Sequence, residues 1–273
     1  MLLRLSWGGK PKFHGVLPCP PGVTPRGRPG NPLVLFFPLG IEPFMRFAEQ
    51  VTSSLRNLWC RATGLPQDLL PEGTEGIRAL GPKGYVGGLW EEIGELQFRF
   101  LVDQGLRPEH VLLDIGCGCL RGGNRFIRYL EPGHYLGMDK EPLLLEAGKR
   151  ELGADLLQEK WPELLASGSF AFRRFSRRPQ WALAQSVFTH LCRRDLERCL
   201  ARLRRVILPG GVFYATFFEA ASPSPNPRAS HSLGYFAYTR QEMEEFGSRN
   251  GWNPSYIGEW NHPRDQRMMV FAA

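Results

Sequence analysis

VLLDIGCGCLRGGNRFIRYL, residues 111–130, decides how the rest of the chain is read. It opens with Val111, Leu112, Leu113 and Ile115, an apolar run without helical period, as expected of a parallel strand buried on both faces. Gly116 and Gly118 follow, where the backbone can take φ values closed to other residues and a ligand can lie close against it. Beyond Gly122 and Gly123, the apolar residues Phe126, Ile127 and Leu130 recur at helical spacing. Strand, glycine turn and helix together make a ligand-binding unit.

Two departures from the dinucleotide fingerprint GxGxxG indicate which ligand. Arg121 stands where the third glycine would let the helix pack tightly while its N-terminus holds a pyrophosphate. Asp114 lies two residues ahead of the first glycine, where a carboxylate opposes a diphosphate but suits an ammonium or a sulfonium. S-adenosylmethionine carries both and has no phosphate. Downstream, HYLGMD (134–139) reads as a second strand ending in Asp139, 25 residues after Asp114 and placed to accept both hydroxyls of a ribose. That spacing serves NAD equally well; the pattern of Asp114 and Arg121 tips the balance.

From about Gly84 to Ala273 the chain resembles the class I S-adenosylmethionine-dependent methyltransferases, in a bacterial type with DIGCGxLRGG after the first strand. The resemblance is carried by KGYVGGLWEEIGELQFRFL ahead of the first strand, LLDIGCGCLRGG within it and YLGMDKEPLLLEAG at the second. ALAQSVFTHL at the fourth, GGVFYATFFE at the fifth and GEWNHPRDQRMMVF at the end belong to the same set. The wider family pattern has a third glycine where this chain has Leu120, and an aspartate before the fourth strand's aromatic where it has Gln180. The resemblance implies an α/β, Rossmann-like fold: a seven-stranded, mostly parallel sheet with a C-terminal antiparallel hairpin and helices on both faces. It implies S-adenosyl-L-methionine as cofactor, with Asp114, Gly116 and Gly118 facing its methionine part and Asp139 its ribose. Residues around Phe175, Ser176, Gln185 and Ser186 would border the adenine or the methyl group. Arg121 is counted among the cofactor-binding residues, and Trp90, Glu91 and Glu92 as part of a lid.

The chain has 273 residues and 42% hydrophobic composition, enough for one good core and a small second unit. No stretch approaches the ~20 apolar residues of a membrane span. The most apolar run, LVLFFPLGI (33–41), is short, broken by Pro38, and lies well inside the chain without a small-residue cleavage site, so a cytoplasmic location is the default expectation. Cys19, Cys60, Cys117, Cys119, Cys192 and Cys199 show neither metal-ligand spacing nor a disulfide framework. The formal charge of +7 is uneven: residues 172–205 hold ten arginines against Asp195 and Glu197. Such a face can hold nucleic acid, an acidic lipid or an anionic sugar. Few aromatics interleave, which favours a solvated helix face instead.

Residues 1–44 contain nine prolines and seven glycines and read as a disordered extension. Met45, the start of a helical pattern, is an alternative first residue. Residues 45–83 read as that helix followed by a Gly/Pro-rich linker from Gly64 to Gly84, and 84–273 as the methyltransferase domain. Within it the expected elements are a helix over 89–104, one over 141–152, a third strand at 169–175, a fourth at 181–188 and a helix over 193–207. A fifth strand follows at 211–218, then a Pro/Ser-rich loop (219–234) suited to substrate recognition. A T-x-x-E capping box at Thr239 and Glu242 starts the last helix, and strands near 254–260 and 266–272 form the hairpin.

His190, just past the fourth strand, is the candidate general base, with packing at a helix start as the alternative. Glu219 and His262 are weaker candidates. The leading expectation is methyl transfer to a small-molecule or glycan-like acceptor, without a metal. QSVFTH replaces the Asn/Asp-Pro-Pro-aromatic signature of amino-base methyltransferases, which argues against nucleic acid. An NAD-dependent oxidoreductase and a non-catalytic cofactor-binding module remain open as alternatives, and so does the oligomeric state.

Overall fold

The structure, a computed structural model, describes residues 72–273. The helix expected from Met45 and the Pro/Gly-rich stretch before it lie outside the described residues. The described chain begins with α1 (Gly73–Tyr85), kinked at Gly81 ahead of Pro82, and α2 (Trp90–Asp103). Then come β1 (Leu112–Ile115), α3 (Gly123–Tyr129), β2 (Tyr135–Asp139), α4 (Pro142–Leu152), α5 (Ala154–Lys160) and β3 (Glu163–Ala166). The remainder is β4 (Trp181–Ala184), α6 (Arg193–Arg204), β5 (Val212–Glu219), β6 (Ala237–Tyr238), α7 (Arg240–Arg249), β7 (Asn253–Gly258) and β8 (Arg267–Ala272).

The sheet runs β3-β2-β1-β4-β5-β8-β7, with the two-residue β6 added beside the end of β5. β1 to β5 pair in parallel, and β8 joins antiparallel to both β5 and β7. The expected Rossmann-like sheet with its terminal hairpin is therefore present, with β6 as an eighth strand. β1 shows why its sequence is continuously apolar. Leu113 and Ile115 enter the core shared with Leu196, Leu200 and Phe246, whereas Leu112 enters the one shared with Leu101, Phe126 and Leu145. Alternate side chains thus serve two cores, one on each face.

α6 buries Leu196, Cys199, Leu200 and Leu203 along one stripe and leaves most of its arginines outside. Thr239 and Glu242 form the reciprocal capping box at the start of α7, as its sequence requires. Cys117, Cys119, Cys192 and Cys199 are buried free thiols. No helix among the described residues is long and apolar enough to cross a membrane.

Two expectations are corrected. The third strand lies at Glu163–Ala166, and the run read as strand holds a single 3-10 turn, Phe172–Arg174. β3 is an edge strand whose residues are all partly or fully exposed, so it carries no strong apolar pattern. The alternation of Phe170, Phe172 and Arg174 suggests a strand, but Phe172 and Phe175, three apart, both drop into the core from the turn. The second half of the expected linker is α1, whose Ile77 and Tyr85 pack with Leu144 of α4.

Candidate functional site

Ligands of open parallel sheets lie outside the carboxyl ends of the strands where strand order reverses. Here that point falls between β1 and β4, and a cavity of about 400 Å³ occupies it. Asp114, Gly116, Gly118, Arg121, Asp139, Gln185, Ser186 and His190 all line this cavity. The sequence thus located residues that converge from three strands and the turns after them.

The glycine turn is built as its residues suggest. Gly116 and Gly118 hold φ of 69° and 57°, and a Cβ would come within 2.5 Å of Val187 Cγ2 and 2.8 Å of Val86 Cγ1. Leu120, where a third glycine was expected, keeps the left-handed conformation with φ 67°. The strain of roughly 1–2 kcal/mol is offset by burying the whole side chain. Room for it comes from Gly123 and Gly148, whose added Cβ atoms would meet Leu120 at 2.9 and 2.6 Å.

Two buried carboxylates face the cavity. Asp114 Oδ2 accepts the Tyr135 hydroxyl at 2.7 Å. Burial raises its pKa to about 6, with Asp139 adding to the rise and the Tyr135 bond and Arg121 opposing it. Asp139 Oδ2 accepts from Gly118 N at 2.9 Å and Oδ1 from Glu141 N at 2.8 Å. Burial moves its pKa upward against the pull of those two backbone bonds. Asp139 therefore fixes the glycine turn and the entry to α4 while lining the cavity.

Arg121 is buried and works as a strut. Nη1 donates to the carbonyls of Val86 (3.1 Å) and Gly88 (2.7 Å), and Nη2 donates to Gln185 Oε1 at 2.9 Å. Burial lowers its pKa to about 10, and the guanidinium remains a cation. Gln185 Nε2 donates to Ser186 Oγ at 2.8 Å, and Ser186 N donates to Thr216 Oγ1 at 2.7 Å. Gln266 closes this network against both Ser186 and Thr216. Gln180, in place of the expected aspartate, accepts from Val111 N at 2.7 Å and ties the starts of β4 and β1 together.

His190 Nδ1 lies 2.7 Å from the Gly234 carbonyl, which can only accept, so Nδ1 carries the proton and Nε2 the lone pair. Burial lowers the imidazole pKa to about 4, leaving a neutral acceptor at physiological pH. Phe170, Leu191, Phe218 and Leu233 give the cavity apolar lining, and Asp195, Ser230, His231 and Ser232 give it polar lining.

Other expected residues lie elsewhere. Phe175 is in the core, and Ser176 donates to the Glu163 carboxylate. Because β3 ends at Ala166, Ser167, Gly168 and Phe170 reach the cavity instead. Trp90 packs under Lys83 Nζ, 4.5 Å from the ring centre, and Glu91 pairs with Arg125 at 2.6 Å. Tyr85, Val86 and Gly87 line the cavity, and Trp90, Glu91 and Glu92 do not. Glu219 accepts the Tyr256 hydroxyl at 2.6 Å, and His262 stacks on Trp260; neither lines the cavity.

Sequence reasoning missed Arg264, which lines the cavity and donates to the Gly87 carbonyl, and the cluster around Glu72. Burial would raise the Glu72 pKa, but hydrogen bonds from Lys140 and Ser232 bring it down to about 2. Its partners are 68 and 160 residues away, beyond any local pattern.

No family model matches the chain. In structure it is similar to the magnesium protoporphyrin IX methyltransferase of Synechocystis with bound SAM (S-adenosylmethionine), with TM-score 0.51 and 12% identity over 81% of this chain and 96% of that one. It is also similar to the pyocyanin biosynthetic protein PhzM, with TM-score 0.58 and 16% identity over 84% and 70% of the two chains. Human N-acetylserotonin methyltransferase in complex with SAM gives TM-score 0.54 and 13% identity over 78% and 61%. At these identities the likeness establishes the fold.

Proposed function

We propose that the chain transfers a methyl group from S-adenosylmethionine to a small-molecule or glycan-like acceptor. The observation that carries this reading is the pair of buried carboxylates, Asp114 and Asp139, set about the Gly116 and Gly118 turn in one cavity at the strand-order reversal. Negative charge in a desolvated site suits a ligand with cationic centres and repels a diphosphate. Two of the structural neighbours, the protoporphyrin and N-acetylserotonin methyltransferases, hold S-adenosylmethionine on the same fold.

In this reading Asp114 faces the ammonium end and Asp139 offers its remaining lone pairs to the ribose hydroxyls. Of the five N–H groups of Arg121, those not bonded to Val86, Gly88 and Gln185 are directed to the ligand's carboxylate. Ser167, Gly168 and Phe170 border the base in place of Phe175 and Ser176. When bound, S-adenosylmethionine supplies an electrophilic methyl group on a sulfonium. Its leaving group needs no protonation, so the chain contributes mainly alignment and exclusion of water. His190 Nε2 accepts the hydrogen of the incoming nucleophile, whose body lies on Phe170, Leu191, Phe218 and Leu233.

Incubation of the purified chain with methyl-labelled S-adenosylmethionine and panels of aryl and sugar hydroxyls and amines tests the proposal. Label on an acceptor supports it. Binding of S-adenosylhomocysteine with no label on any acceptor would favour the non-catalytic binding module.

A further inference from the structure

A second groove, of about 260 Å³, is lined by Phe170, Phe172, Arg173, Arg174, Arg202 and Arg205 together with Ala171. All four arginines are exposed, and among the described residues no carboxylate lines the groove. Both acids of α6 are already paired, Asp195 with Arg194, Arg198 and Ser230 and Glu197 with Arg193 and Arg249. The contrast with the surface groove around Arg193 and Arg240 is informative, because there Glu219, Glu242, Glu244 and Glu245 compensate the cations. Uncompensated positive charge concentrated in a concave site raises the local concentration of anions.

Phe170 links this groove to the cavity already described, since it lines both. Its φ of 55° is a left-handed conformation that a bulky side chain rarely takes. Such strain persists where surrounding structure imposes it, and it clusters at ligand clamps and active sites. Arg202 contributes by donating through Nη1 to the Ser169 carbonyl, immediately before Phe170. Phe170, held in a constrained turn, thus borders the arginine groove on one side and the cavity on the other.

We infer that the arginine groove is a subsite for a phosphate-like anionic group on the acceptor, whose reactive portion passes Phe170 into the cavity beside His190. The inference rests on the methyltransferase reading and narrows its substrate class to anionic, phosphate-bearing small molecules. A groove of this size holds one such group rather than the length of a nucleic acid strand.

Calorimetry on the full chain tests it with inorganic phosphate, phenyl phosphate and S-adenosylhomocysteine, in the parent and in Arg174→Ala/Arg205→Ala. Both substitutions are at exposed positions outside the core. Phenyl phosphate is expected to bind at least about tenfold more tightly than phosphate, because its ring lies against Phe170. The double variant should weaken both anions at least about tenfold by losing two charge-assisted partners, with S-adenosylhomocysteine affinity unchanged. Equal binding of the two anions, or no effect of the double substitution, would overturn the inference. An arginine-dependent preference for a single-stranded oligonucleotide by about a hundredfold or more over phenyl phosphate would also overturn it, in favour of nucleic acid. A parent that binds phenyl phosphate but not S-adenosylhomocysteine would instead contradict the methyltransferase reading, and the acceptor assignment with it.

Discussion

The Leu120 side chain occupies the space left by the missing side chain of Gly148: a Cβ at 148 would come within 2.6 Å of Leu120 Cγ. Leu120 accepts a left-handed backbone in the glycine turn, and the facing helix is cleared to receive it. Gly148→Ala should therefore destabilise the protein by about 1–3 kcal/mol through overpacking. Leu120→Gly relieves the backbone but removes a buried leucine, for a net loss of about 1–4 kcal/mol. The two substitutions together should cost clearly less than their sum, because truncating Leu120 opens the space that the added methyl at 148 partly fills. Chemical denaturation of the four proteins measures the coupling, and strict additivity would show that the two sites do not share this space.

Asp139 both supports the turn and faces the cavity, so truncation alone does not separate its roles. Asp139→Ala should lower the melting temperature through loss of the Gly118 and Glu141 bonds. It should also weaken S-adenosylhomocysteine at least about tenfold, since charge-assisted bonds contribute roughly 1.5–3 kcal/mol each. A cycle with the 2′,3′-dideoxy analogue isolates the ribose contribution. Removing the hydroxyls should cost the parent about tenfold or more and the variant little; equal losses in both would place the ribose elsewhere.

The pH dependence of cofactor affinity follows from Asp114. Its folded pKa is raised to about 6, so the anion that faces a ligand ammonium appears only as pH rises through that value. Affinity for S-adenosylhomocysteine should increase between about pH 5 and about pH 7, and the increase should shrink in Asp114→Asn. Calorimetry across that range checks it. A flat profile in the parent would remove Asp114 from the ligand.

His190 is expected to remain unprotonated well below the ordinary histidine range, because burial holds its pKa at about 4. As a base it should therefore place the acid limb of kcat near that value. His190→Ala should reduce turnover by about 10² to 10⁴ while leaving S-adenosylhomocysteine affinity nearly intact. Unchanged turnover would assign the ring to its hydrogen bond with Gly234.

Legibility in the sequence tracked burial and chain distance. β1 and β2 were readable because both faces are buried and their carboxylates, Asp114 within β1 and Asp139 at the end of β2, stand out against apolar runs. β3 was misplaced because an edge strand with one exposed face needs no such run, and the misplacement carried Phe175 and Ser176 into the site in error. α1 was hidden by Gly73, Gly76, Gly81, Pro82 and Gly84, although Gly81 and Pro82 only kink it. Least legible were the long-range bonds around the cavity: Arg121 to the Val86 and Gly88 carbonyls, Arg264 to the Gly87 carbonyl, and Ser232 to Glu72. These are contacts between distant parts of the chain with no periodic signature.

Calorimetric titration of the full chain with S-adenosylhomocysteine and, separately, with NAD distinguishes the two ligands at the glycine turn. Two buried carboxylates around the glycine turn predict one-to-one binding of S-adenosylhomocysteine and no measurable heat with NAD, whose diphosphate would meet Asp114. Binding of NAD in preference to S-adenosylhomocysteine would contradict it.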